Sequence, residues 1–218
     1  METGAECERS EVAAERAIPN AVSVRGLGVA RLDASELLTE ACARLGIDLA
    51  NLVAATGLWA SPEIHAALAG ASDAPAWYPK TQRAGAGQKR GTFVGEVRLD
   101  DNTYANVAIK RALGLSPRNV VGFEVCHVWP GTTYDPRYHT CIANLILLPR
   151  SLASLSDHDA TVQRAIQYRS FELYAWSPEG VPLPEKPPGY PLEWRQPAAV
   201  TPGIREALRR RHRSVGQP

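Results

Sequence analysis

GFEVCHVWPGTTYDPRYHTCIANLILLP, Gly122 to Pro149, is the stretch whose reading decides the fold. The run VVGFEVCHVW is rich in β-branched and aromatic residues and stops at Pro130-Gly131, and ANLILL is a second apolar run closed by Pro149. Apolar runs bounded by such breakers predict two strands joined by a loop of about ten residues. Into this hairpin the chain puts two of its five histidines, two of its four cysteines, an Asp and an Asn. Side chains that bind metals and move protons are an unusual load for two buried strands.

Downstream, RSLASLSDHD predicts one or two helical turns with Leu152 and Leu155 inward, and DATVQRAIQYRSFELYAW predicts a longer helix with Val162, Ile166, Phe171 and Leu173 facing the core. Upstream, Asp33 to Gly70 reads as three short helices, the first with Leu37, Leu38, Ala41 and Leu45 at helical spacing and the third opened by Ser61-Pro62. Three short helices can contain a helix-turn-helix, but core packing is their commoner use.

The segment APAWYPKTQRAGAGQKRGTFVGEVRL has too many breakers for any period and gathers Lys80, Arg83, Lys89 and Arg90, so it is expected to be a flexible basic loop. It serves either as a solvated linker or, with Trp77 and Tyr78, as a track for a phosphate strand. DDNTYANVAIKRALG predicts an Asp/Asn cap and a helix with Tyr104, Val107 and Ala108 on one side. Lys110 and Arg111 sit near its last turn, where cations suit the helix dipole even without a ligand. SPEGVPLPEKPPGYPLEWRQP is too proline-rich for helix or central strand, and IREALRRRHR is a short helix carrying five arginines. The expected organisation is therefore a loose tail over 1–30, a helical subdomain over 31–75, a basic loop and helix over 76–119, a hairpin-helix core over 120–176, and an extended segment with a basic helix over 177–218.

A chain of 218 residues with 44% hydrophobic content buries a real core. The four cysteines, the absence of an amino-terminal apolar run and the lack of any apolar stretch near about 18 residues predict a cytoplasmic protein rather than a secreted or membrane one. The net charge is +1, and of 24 basic residues only Lys80, Lys89, Lys110 and Lys186 are lysines. Arginine suits bidentate phosphate contact, although codon bias gives the same composition.

The hairpin residues carry a family resemblance. EVCHVWP resembles the first strand of the HNH, or ββα-metal, nucleases, in which a ligand residue precedes a His followed by an apolar residue, any residue and Pro. Asn144-Leu145 with Leu147-Leu148 and the turn into a helix resembles that family's Asn-Leu-x-x-Leu second strand. The likeness covers roughly Val120 to Asp159. It implies an α+β fold, mainly helical around a ββα-metal core, and a metal-dependent DNA endonuclease, with restriction or antiphage defence as its setting. On this footing His127 is the general base and Asn144 holds the loop or orients the imidazole. Arg150, with Lys80, Arg83, Lys89, Arg90, Lys110 and Arg111, would contact double-stranded DNA, and a homodimer is one assembly the reading allows.

The chain departs from the pattern at the metal. Cys126 stands where an Asp or His ligand is usual, and thiolate binds Mg²⁺ poorly. The helix ligand expected about nine positions past Asn144 falls on Ala153. Asp157 and His158, one turn on, are the expected replacements, with Asp135 and His139 of the hairpin loop as the alternative pair. The cofactor would be Mg²⁺ or Mn²⁺ rather than Zn²⁺, since no Cys-x-x-Cys pair exists. Plainer uses compete with each assignment. Ser156 to Asp159 also reads as a helix N-cap, Cys126 and Cys141 as small buried hydrophobes, and His127 as a satisfied core histidine. The rival functions are a non-catalytic DNA-binding protein on a degenerate ββα scaffold and a protein-interaction module.

Overall fold

The computed structural model describes residues 34–70, 75–116 and 120–215, so the tail expected over 1–30 lies outside the described residues. The fold is α+β, and residues from Ala34 onward form one compact unit. Three helices come first, α1 (Ala34–Leu45), α2 (Leu49–Thr56) and α3 (Pro62–Ala69). A small sheet follows, made of β1 (Thr81–Arg83), β2 (Phe93–Val94) and β3 (Val97–Asp100). Helix α4 (Thr103–Ala112) leads to the hairpin of β4 (Phe123–His127) and β5 (Leu145–Pro149). Helices α5 (Arg150–Ala153), α6 (Leu155–His158) and α7 (Ala160–Tyr174) come next, and α8 (Pro202–Val215) ends the described chain. No helix among the described residues is long and apolar enough to cross a membrane.

The hairpin is the middle layer. β4 and β5 pair antiparallel, with Val125 opposite Leu147 and His127 opposite Leu145. Successive side chains of a strand point to opposite faces. Leu145 and Leu147 therefore join a core with Ile64, Leu68, Ile109 and Leu208 from α3, α4 and α8. Ile146 and Leu148 join a second core with Val53, Val162, Ile166 and Tyr174 from α2 and α7. Covering on both faces is why β5 reads as an unbroken apolar run instead of an alternating one. Leu58 bridges Leu147 by two backbone hydrogen bonds, of 2.9 and 3.2 Å. That approach requires the glycine before it, since a Cβ on Gly57 would lie 2.8 Å from the Ile146 side chain and 2.9 Å from the Val53 carbonyl.

Three expectations need correction, and two expected caps can be assigned. The basic segment is not a structureless loop: β3 lies between β1, to which it runs parallel, and β2, to which it runs antiparallel. In α4 the buried side is Ala105, Ala108, Ile109 and Ala112, and Tyr104 instead stacks edge-on against Tyr78 at 5.0 Å. That helix is capped by Asp100, which accepts from Tyr104 N, and by Asp101, which accepts from Thr103 N, while Asn102 makes no capping bond. In α1, Leu37, Leu38 and Leu45 are exposed and Cys42 is the buried residue. The cap expected within Ser156 to Asp159 is Asp159 alone, whose carboxylate accepts from Thr161 N and Val162 N. Asp157 and His158 are left free of that duty.

Candidate active site

His127 ends β4, 5% exposed, with its Nε2 2.9 Å from the backbone carbonyl of His139. A carbonyl only accepts, so Nε2 carries the proton and Nδ1 the lone pair. The two imidazoles stack at 5.3 Å and 17°. Burial pushes the His127 pKa down to about 3, and Arg83 adds to that, so the ring is neutral at ordinary pH. The carbonyl that receives its proton stays in place because Asn144, fully buried at the turn before β5, ties the loop together. Asn144 accepts from Trp129 N at 2.9 Å and donates to Thr132 Oγ1 and to the Tyr138 carbonyl.

His127 lines an open cleft of about 370 Å³ whose walls also carry Arg83, Arg150, Asp157 and His158. Those five sequence-selected residues come together from β1, β4, α5 and α6. Arg83 enters because the small sheet stands at the cleft's edge, and Arg150, because β5 passes directly into α5. The Arg150 Nε is 3.8 Å from Glu124 across the rim.

The structure does not bring the remaining residues here. The alternative pair, Asp135 and His139, is engaged elsewhere. The carboxylate of Asp135 is engaged by the Arg137 guanidinium and backbone N–H, and the imidazole of His139, 0% exposed, donates from Nε2 to Asp100 at 3.1 Å. Lys80 is ion-paired with Glu96 and Arg90 with Asp101. Lys89 and Arg90 line a neighbouring groove that shares Arg83 with the cleft. Arg111 bonds the Tyr78 hydroxyl, on a groove it shares with α8, and Lys110 lies on the same helix.

Cys126 alternates with His127 along β4 and lines the same cleft from its other wall. Its thiol lies 3.6 Å from the Ala153 carbonyl, which also accepts the Ser156 hydroxyl at 2.8 Å. Burial pushes this thiol up to about 12, so it stays protonated at ordinary pH. Among the described residues no three His, Cys, Asp or Glu side chains form a ready-made metal cage. The donor set of Asp157 and His158 still fits a hard divalent cation, because Mg²⁺ and Mn²⁺ take only one or two protein ligands when water and substrate oxygens fill the rest of the shell.

Two residues here escape a sequence reading. Asp100, buried at the end of β3, holds His139, and its capping of α4 hid that second role. Burial pulls its carboxyl up, but hydrogen bonds from His139 and from the N–H groups of Tyr104 and Asp101 outweigh this and hold it below the ordinary range. Asn102 lines the cleft with φ at 95°, a left-handed conformation that Asn tolerates better than most residues, and its buried Oδ1 has no partner among the described residues. No family model matches this chain, and no curated protein or solved structure is found similar to it.

Proposed function

We propose that this protein is a metal-dependent DNA endonuclease of the HNH, or ββα-metal, type, acting in restriction or antiphage defence. The observation that carries the reading is the His127 imidazole, whose Nε2 proton is held by the His139 carbonyl, which leaves the lone pair on Nδ1, on a residue lining a cleft walled by Arg83 and Arg150. A catalytic base for phosphodiester hydrolysis needs that arrangement, a neutral imidazole with a fixed tautomer beside cations that bind phosphate.

In this mechanism Arg83 and Arg150 hold the non-bridging phosphate oxygens, and His127 Nδ1 takes a proton from a water as its oxygen attacks phosphorus in line with the departing 3′ oxygen. A phosphate beside the ring raises the depressed basicity of His127, since a nearby anion favours imidazolium. Asn144 keeps the loop, and with it the His139 carbonyl, in register. Asp157 and His158 would hold the divalent cation, which when bound stabilises charge developing on the phosphoryl and leaving oxygens.

Nicking of supercoiled plasmid with Mg²⁺ or Mn²⁺, lost in His127→Ala, is the expected result. A second reading is favoured by the protonated Cys126 thiol packed on Ala153: a protein that binds DNA on this scaffold without cutting it. Salt-dependent DNA retention with no nicking under any of these metals would decide for that reading.

A further inference from the structure

We propose that Asp100 and His139 are positioning residues that hold the His127 ring in its working tautomer and orientation, so that the small sheet carrying Arg83 and the hairpin carrying the base are set against each other by one buried link. The inference rests on the endonuclease reading for its effect on rate, but its geometry stands apart from it.

The link runs through three elements. Asp100 closes β3, where it pairs in register with Arg83 of β1, the residue that walls the cleft. Its Oδ2 takes the His139 Nε2–H at 3.1 Å and the Tyr104 N–H at 2.8 Å, so one carboxylate fixes both α4 and the imidazole. His139 acts on His127 twice. Its ring stacks on the His127 ring, and its own carbonyl receives the His127 Nε2 proton. Rotation of the His139 side chain would disturb the stacking, and a shift of its backbone would disturb the hydrogen bond as well.

The burial argues that more than packing is involved. His139 is 0% exposed and Asp100 5%, and the His139 Nδ1 has no partner among the described residues. An unsatisfied buried nitrogen carries a stability cost that an apolar ring of the same shape would avoid. A fold that keeps imidazole here keeps a donor for Asp100, and Asp100 keeps the carbonyl aimed at His127.

The test uses the full chain labelled with ¹⁵N-histidine and long-range ¹H–¹⁵N correlation spectra, beside nicking kinetics with Mn²⁺. The wild type should show His127 as a single Nε2–H tautomer. In Asp100→Ala, and in His139→Phe, which preserves the stacked ring and removes the donor, that signal should give way to a tautomer mixture. Misplacement of a reacting group costs up to about 100-fold, so kcat should fall by roughly 10- to 100-fold with KM for DNA changed less than about twofold. Asp100→Asn, which retains an acceptor oxygen, should recover most of the rate and the tautomer. An unchanged tautomer with unchanged kcat in the variants overturns the proposal, as does a KM-only effect. If Asp100→Ala does not fold, His139→Phe and Asp100→Asn carry the same readouts. A wild type that shows the single tautomer and never nicks DNA defeats the endonuclease reading, and loss of that tautomer in His139→Phe would then still uphold the positioning of His127.

Discussion

Cys126 and His127 are neighbours on β4, yet the two sides of the strand they face have opposite characters. On the His127 side the polar groups around the ring are organised: Nε2 on a carbonyl, Asn144 with three hydrogen bonds, and a cleft with two guanidinium groups. On the Cys126 side a protonated thiol and Ser156 share the carbonyl of Ala153, and all three residues line the other wall of the same cleft. The difference teaches that base and metal are separable demands. On the proposed reading the base needs a fixed tautomer, which buried, hydrogen-bonded surroundings supply, whereas a hard cation needs few protein donors and could be held by Asp157 and His158 instead.

The largest expected effect breaks the first side. His127→Ala should lower nicking by about 10²- to 10⁴-fold, the usual contribution of a general base, while filter binding shows DNA affinity little changed. Asn144→Ala should come next, costing about 3 kcal/mol in urea unfolding, because it strands the buried Trp129 N–H and removes the bonds to Thr132 and the Tyr138 carbonyl that tie the loop together. Cys126→Ala, the matching change across the strand, should cost about 1 kcal/mol, since it removes only a weak thiol bond and a little packing.

Acid sharpens the comparison through the two buried histidines. Burial lowers the folded pKa of His127 to about 3 and of His65 to about 4, below the unfolded value of 6.5. Between those values the unfolded chain binds more protons, so stability is complete above pH 6.5 and falls as pH drops, by about 1.4 kcal/mol per unit for each histidine. His65→Phe, which can keep the stacking on Tyr174 and Trp176, should remove one of these contributions and flatten the slope measured between pH 6 and 4. The smallest effect concerns the metal. His158→Ala should raise the Mn²⁺ concentration for half-maximal nicking by about tenfold, a loss typical of weakened metal ligation, and Cys126→Ala should leave it unmoved. A shift for Cys126→Ala alone would reverse the assignment of the two sides.

How much of this was legible depended on how local each signal was. LILLP announced a strand covered on both faces, and Pro130-Gly131 marked where its partner ended. His127 and Asn144 were singled out by the resemblance of their motif, and the structure places them at the two ends of that loop. β1, β2 and β3 were not, because strands of three, two and four residues broken by Gly85, Gly87, Gly91 and Gly95 are too short to display a period of two. The bond from Asp100 to His139 spans 39 positions and leaves no local trace, and the hairpin loop concealed that His139 turns inward. Leu37, Leu38 and Leu45 misled in the other direction: helical spacing fixed the helix correctly but not the face that is covered.

The double covering of β5 also governs what can be done with the motif as a portable unit. One face of that strand is sealed by helices beginning at Leu49 and the other by α8, which contributes Ile204 and Leu208 from near the far end of the chain. A fragment cut to 120–176 would leave Leu145 and Leu147 wet and would lack Leu58, whose backbone locks Leu147 from outside the hairpin. The cleft is thus a property of a cooperative whole, and grafting it onto another scaffold means carrying helices from both ends of the sequence along with it.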